Sequence, residues 1–232
     1  MRQVPKYAII GNGRMALHMQ HYLNFLSLDY ATWSRAHDSI ESLHSLLSIS
    51  THALILISDA AIDPFIETHI ISRYPSLTLS HFSGSLQSKY AYSAHPLQTF
   101  AHSLLPLDDY KKIPFIISEG PEFIDVLPGF VNPHYKIKCA DKAYYHALCV
   151  MANNFTILLW QKFFTEMHHC FGVPQQDLQP FLKQTFHNLK QDYENALTGP
   201  IARGDTETLQ RDLKALENDR FYGIFKAFIE NI

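Results

Sequence analysis

Cysteine is scarce: Cys139, Cys149 and Cys170 are the whole complement of the 232 residues. Three scattered thiols cannot make a disulfide framework or a four-thiolate zinc site, and they suit a chain kept reduced. Charge of one sign is also missing. Nineteen basic side chains face 22 acidic ones, a net charge of -3, with no basic tract of the kind a nucleic-acid protein displays. The first residues, MRQVPKYAII, hold neither a long apolar run behind a basic start nor a small-residue cleavage site, so no signal peptide is read there. The most apolar long stretch, 147–164, is interrupted by Asn153, Asn154 and Gln161, a pattern of a buried helix and not of a membrane span. These absences predict a soluble, cytoplasmic protein. What is plentiful is apolar material: 47% of residues against 18% charged, ample for a packed core.

The first 130 or so residues alternate short apolar runs with helical segments. Residues 7–10, 31–34, 53–57 (ALILI), 77–82, 91–95 and 114–118 read as strands, the third as a central parallel strand covered on both faces. Residues 16–28 read as a helix. This alternation predicts an α/β fold, a doubly wound and mostly parallel sheet. From about residue 141 the strand signal stops. A long helix over 142–171 ends at Gly172 with Pro174 beyond it, and further helices follow over 176–195, 206–217 and 221–232. The expectation is an NADP-binding Rossmann domain over 1–139 and an all-α domain over 140–232, serving substrate binding and dimerisation, with a site in the cleft between them.

The Rossmann expectation rests on Gly11-Asn12-Gly13-Arg14-Met15-Ala16, a G-x-G-x-x-A string between a strand and a helix. The first glycine allows the tight turn, the second lets backbone approach a pyrophosphate, and the small Ala16 lets helix and strand pack closely. The helix N-terminus supplies N–H donors and positive dipole to the phosphates. An NAD site usually carries an acid at the end of the second strand. Here Trp33-Ser34-Arg35 stands instead, with Asp38 slightly late. A hydroxyl and a guanidinium, with Arg14 as a second cation, point to the 2′-phosphate of NADP. Ser58 and Asp59 close the third strand, where the ribose and nicotinamide should lie; Asp59 can equally cap the helix that follows.

The strings GNGRMA, HFSGSL (81–86), SAHPLQTF (93–100), YHALCVMANN (145–154) and ALTGPIARGD (196–205) together resemble a family of Rossmann-like proteins whose C-terminal half is a domain of unknown function. Its layout is similar to pyrroline-5-carboxylate reductases, 3-hydroxyacid dehydrogenases and deazaflavin-dependent NADP reductases. The resemblance implies the fold and an NADP-linked redox role but no particular substrate. One departure matters: 3-hydroxyacid dehydrogenases use a lysine and an asparagine one turn apart on the first interdomain helix, whereas here Lys142 is followed one turn later by His146.

At 100° per residue, Lys142, His146 and Asn153 fall on one stripe of the long helix, combining a cation, an imidazole and a carboxamide. An imidazole suits proton donation to a carbonyl oxygen as hydride arrives. In the second half, Thr198 and Arg203 lie in a glycine- and proline-containing loop before a helix that Asp205 can cap; arginine binds carboxylates through paired hydrogen bonds. Ser83 and His95, the latter at a strand end, complete the substrate-binding candidates. His18/His21 and His168/His169 lack partners at metal-site spacing, so no metal is expected. The resulting expectation is an NADP-dependent oxidoreductase for a small carboxylate-bearing carbonyl, imine or hydroxy compound. A non-catalytic NADP-binding regulatory module and a deazaflavin-linked reductase are the alternatives. A homodimer through the apolar helical half is expected as well.

Overall fold

A computed structural model describes residues 4–231, and it forms two compact units, Met1–Thr156 and Ile157–Ile232. In the first, the chain runs β1 (Lys6–Ile10), α1 (Arg14–Phe25), β2 (Asp29–Trp33), α2 (Ile40–Ile49), β3 (His52–Ile55), α3 (Asp59–His69), β4 (Thr78–His81) and β5 (Tyr92–Pro96). There follow α4 (Leu107–Lys112), β6 (Phe115–Ser118), α5 (Phe123–Val126), β7 (His134–Ile137), a 3-10 turn at Cys139–Asp141 and α6 (Lys142–Cys149). The strands make one seven-stranded sheet in the order β2-β1-β3-β4-β5-β6-β7. β1 to β5 are mutually parallel; β6 pairs antiparallel with β5, and β7 parallel with β6. The fold is the predicted α/β, Rossmann-like one.

Strand alternation divides the core. Tyr7, Ile9, Leu54 and Leu56 face α1, α4 and α5, while Ala8, Ile10, Ala53 and Ile55 face α2 and α3. Because both faces are covered, β1 and β3 are apolar after their first residues, Lys6 and His52, as parallel central strands tend to be. ALILI belongs to this core, but its strand ends at Ile55; Leu56 and Ile57 carry the chain on to the rim of the sheet. His18 on α1 is buried and satisfied, its ring nitrogens bonded to the Tyr110 hydroxyl (2.6 Å) and the Ala101 carbonyl (2.9 Å).

Two expectations about the helical half are corrected. Residues 142–171 do not form one α-helix: α6 gives way to a π-helical stretch, Val150–Phe155, before α7 (Thr156–Phe171). Bonding to the fifth residue instead of the fourth widens the turn, so even 100° stepping does not hold between His146 and Asn153. The 196–205 segment is also not all loop, because Gly199–Arg203 forms a short helix, α9, between α8 (Gln175–Gln191) and α10 (Thr206–Ala215). Pro200 sits in its first turn and Gly204 takes the left-handed conformation that ends it, the expected start and stop chemistry. Asp205 caps α10, accepting from the Thr208 N–H at 3.1 Å, as the sequence suggested. The last helix, α11, spans Tyr222–Glu230; Ile232 lies outside the described residues, as do Met1, Arg2 and Gln3 of the N-terminal reading.

Within Ile157–Ile232, Trp160 and Phe163 of α7 pack on Phe181 and Phe186 of α8 with ring centroids 5.5–6.2 Å apart. Yet Leu178 and Leu213 are the unit's only buried hydrophobic residues among those described. No helix among the described residues is long and apolar enough to cross a membrane.

Candidate functional site

Chain direction reverses its course across the sheet between β1 and β3, and open α/β sheets place ligands beyond the carboxyl ends of strands at such a switch. A cavity of ≈ 1230 Å³ opens there. Every residue lining it belongs to the first unit.

Gly11 and Gly13 serve different needs. Gly11 has φ +128°, and a Cβ there would sit 2.3 Å from the Leu56 carbonyl oxygen, so β1 can turn against β3 only with glycine. Gly13 has an ordinary φ of -75°, and a Cβ on it would meet no protein atom within 4 Å. It therefore borders open space, the room a pyrophosphate needs to reach backbone. Gly13 is the N-cap of α1, no side chain caps the helix, and its first turn has no acid. The uncapped N–H groups and the helix dipole favour an anion at this end. These features fit a dinucleotide. Asn12, Arg14 and Met15 line the same wall; Ala16 does not, being fully buried against the sheet as the helix–strand spacer.

At one end of the cavity Ser34 and Arg35 line the wall after β2. Asp38, the only nearby acid on this loop, turns inward and accepts the Ser34 backbone N–H at 2.8 Å. Trp33 anchors the strand end by donating from its indole to the Ser39 carbonyl at 2.8 Å. Ser58 lines the cavity after β3. Asp59 is a correction: it is not in the cavity wall and does not cap α3, whose N-cap is Ser58. Its carboxylate instead accepts from the Ser83 hydroxyl at 2.5 Å.

Toward the other end lie His95, His146, Cys149, Asn153 and Asn154, with Gln98, Thr99 and Phe100 from the segment after β5. The His95 and His146 rings are perpendicular, 6.2 Å apart. Gly84 sits against both: a Cβ there would lie 2.4 Å from His146 Cδ2 and 3.2 Å from His95 Nε2, so any side chain at 84 would displace the pair. The Tyr145 hydroxyl is 2.7 Å from His95 Nδ1, which fixes the ring. Burial, then the neighbouring His146 and Lys142, push His95 down to about 4, and it is neutral at working pH. Burial also raises the Tyr145 phenol, keeping it protonated.

Lys142 and Ser83 are the other corrections. Neither lines the cavity. Lys142 is buried beneath it, its Nζ donating to the Ser93 hydroxyl and, at 3.3 Å, to the Ser83 carbonyl. Burial lowers its pKa to about 8, against the opposing pull of Cys139 and Asp59. The Ser83 hydroxyl also receives the Leu86 N–H at 3.0 Å, knitting the loop that carries Gly84. Both residues brace the histidine pair from below. Thr198 and Arg203 belong to the second unit, as N-cap and last residue of α9, and are not among the cavity residues. No group of three or more His, Cys, Asp or Glu side chains among the described residues is arranged to hold a metal ion.

Sequence reading missed Phe65 and His69 on α3 and Gln98, Thr99 and Phe100 after β5, all in the cavity wall. A signal was present for each, since both segments follow strand ends at the ligand-binding rim.

Residues 126–232 match the model of a domain of unknown function, DUF2520. No curated protein sequence matches the chain. Among solved structures it is similar to a candidate NADP oxidoreductase from Bacteroides fragilis, with 19% identity, TM-score 0.75, and 98% of this chain and 97% of that one covered. It is also similar to an imine reductase variant from Myxococcus stipitatus solved with NAD+, at 12% identity, TM-score 0.60, and coverage of 98% and 94%. A third is a reductive aminase from Aspergillus terreus solved with NADPH and ethyl levulinate, at 14% identity, TM-score 0.58, and coverage of 98% and 88%. At these identities the likeness is one of fold: a Rossmann-like α/β unit followed by helices.

Proposed function

We propose that this protein is an NADP-dependent oxidoreductase of the cytoplasm that acts on a small carbonyl, imine or hydroxy compound. The observation that carries the reading is a single cavity with an uncapped glycine loop on one wall and an imidazole pair with two asparagines toward the far end. The structural relatives support it, being named as oxidoreductases, imine reductases or reductive aminases. A reduced nicotinamide bound there would supply the hydride. Gly13 and the first turn of α1 hold the phosphates. His146 delivers a proton to the substrate oxygen or nitrogen, while neutral His95, fixed by Tyr145, holds the ring opposite it. The Asn153 carboxamide orients the reacting polar group. Lys142 buttresses and does not react. A non-catalytic NADP-binding module is the second reading, favoured by the withdrawal of Lys142 from the cavity wall.

The choice of NADP over NAD rests on Ser34 and Arg35 lining the cavity while Asp38 is spent on its own loop. NADPH should bind more tightly than NADH. Arg35→Ala should weaken NADPH by about 1–3 kcal/mol through lost charged hydrogen bonds and leave NADH nearly unchanged. Fluorescence titration measures both; equal affinities in the wild type remove the NADP assignment.

The protein should also be a homodimer through its helical half. On α7 and α8, Leu158, Leu159, Phe181, Phe186 and Leu189 are exposed, and Phe228 of α11 is 50% exposed. Each is already about half buried, so covering the rest contributes about 1 kcal/mol apiece, and a group of exposed apolar side chains is what an interface covers. Light scattering at micromolar concentration should give twice the chain mass of 26.7 kDa; a monomer mass overturns the expectation.

A further inference from the structure

The Ser34–Arg35 end of the cavity has a second wall that the sequence motif did not announce. Pro64, Phe65, Thr68 and His69 of α3 line it, at the i, i+1, i+4, i+5 spacing that puts residues on one helix face. Ring contacts tie this wall to the β2 end. Trp33 lies 5.7 Å from Phe65, and Phe65 lies 5.1 Å from His69. The His69 imidazole is thus two ring contacts from the residue that precedes Ser34 and Arg35.

We infer that His69 is a titrating contact for the 2′-phosphate end of the dinucleotide, so that preference for NADPH over NADH strengthens as pH falls. This rests on the NADP reading above and deepens it. The groups around His69 narrow the choice to that residue. From α2, His44 faces it, with both ring nitrogens engaged: Arg73 Nη1 lies 2.6 Å from Nε2, and the Tyr74 hydroxyl 3.1 Å from Nδ1. A guanidinium has no acceptor atom, so His44 Nε2 accepts, and both ring nitrogens of His44 are engaged within the protein. Arg73, after α3, and Arg35, on the β2 loop, keep their charge throughout. Among the described residues, the ring nitrogens of His69 make no hydrogen bond. The side chain is half-buried, and burial, then His44 and Arg73, hold its pKa below the ordinary imidazole value.

The sign follows from that environment. Without ligand, His69 is neutral at neutral pH. A phosphate monoester brings about -1.5 to -2 charges and favours the imidazolium. Binding NADPH then takes up a proton, and affinity rises as pH falls between the free and bound pKa values. NADH, lacking the phosphate, takes up none there. Below about pH 6 the phosphate itself gains a proton, so the useful window lies above it.

The test is the dissociation constant of NADPH and of NADH, by fluorescence, from about pH 8.5 down to about pH 6.5, in the wild type and His69→Gln. Wild-type NADPH should tighten by roughly two- to fivefold across that range, since a shift of up to about one pKa unit is worth the full tenfold only below both pKa values, and NADH should stay nearly flat. His69→Gln should flatten the NADPH curve onto that of NADH. Should the variant fold poorly, NMR titration of the wild-type His69 ring gives the same answer, its pKa rising on adding NADPH and not on adding NADH. A steep NADPH curve that survives His69→Gln, or no steepness in the wild type, overturns the inference. If NADPH is preferred at about pH 8.5 but shows no His69-dependent step, only this inference falls. If NADPH is not preferred at any pH, the Ser34–Arg35 reading falls and takes this one with it.

Discussion

His146→Gln should lower the maximal rate of substrate reduction by roughly 10²–10⁴-fold and leave NADPH affinity nearly unchanged. Three imidazoles line the cavity, His69 at the Ser34–Arg35 end and the pair toward the other end; of that pair His95 is pushed down to about 4 by burial, then by His146 and Lys142, and its Nδ1 is already engaged by Tyr145. It is neutral at neutral pH and holds no imidazolium proton to give. His146, half-buried and on the cavity wall, is left to supply it. The proton moves as charge develops on the substrate, so its loss appears in the rate and not in cofactor binding. Glutamine keeps a hydrogen-bonding amide in about the same volume but has no acidic proton to transfer, so the rate should fall while the Michaelis constant changes little. Stopped-flow measurement of NADPH oxidation against a panel of keto acids and cyclic imines reads both. A variant that turns over normally after merely losing thermal stability makes His146 structural. A wild type that binds NADPH but reduces nothing in the panel favours the binding module.

Much of this site was legible because its chemistry is local. The glycine loop, the Ser34–Arg35 end of β2 and the α6 histidine are each set by a strand or helix end within a few residues, and turn and helix-terminus physics is readable at that range. Other features were not local. Nothing in Lys142 itself says that its amine turns down to Ser83 and Ser93, since those partners arrive 59 and 49 residues earlier in the chain. Placing Lys142, His146 and Asn153 on one stripe assumed a uniform α-helix, and the π-helical Val150–Phe155 breaks that assumption. β7 escaped because His134, Tyr135 and Lys136 are exposed on an edge strand, where no apolar run is required. Helix α9 escaped because five residues are too few for a periodic pattern. Phe65 and His69 lie one turn apart on the helix after β3, and that spacing alone does not distinguish packing on a core from lining a cavity.

Gly11→Ala and Gly13→Ala should fail in opposite ways. At Gly11 the added methyl meets the Leu56 backbone 2.3 Å away, at a φ of +128° that L side chains rarely adopt. Backbone cannot rotate aside as a side chain can, so β1 and β3 must separate where the core is fully buried. Strain of this kind costs about 1–3 kcal/mol before the clash is added, and about 3 kcal/mol or more in all is the expectation. For a chain of this size that is a fall in melting temperature of roughly 6–12 °C. At Gly13 the methyl meets no protein atom within 4 Å and φ is already -75°, so alanine loses only a favourable N-cap residue, and the melting temperature should shift by about 4 °C or less. The methyl nevertheless projects into the space assigned to the pyrophosphate, and NADPH affinity should fall by about tenfold or more, equivalent to about 1.4 kcal/mol. Calorimetry and fluorescence titration on the two variants separate fold from ligand. If Gly13→Ala binds NADPH as the wild type does, the phosphates do not lie against this loop. If instead both variants melt early and bind alike when folded, the glycines serve the turn alone.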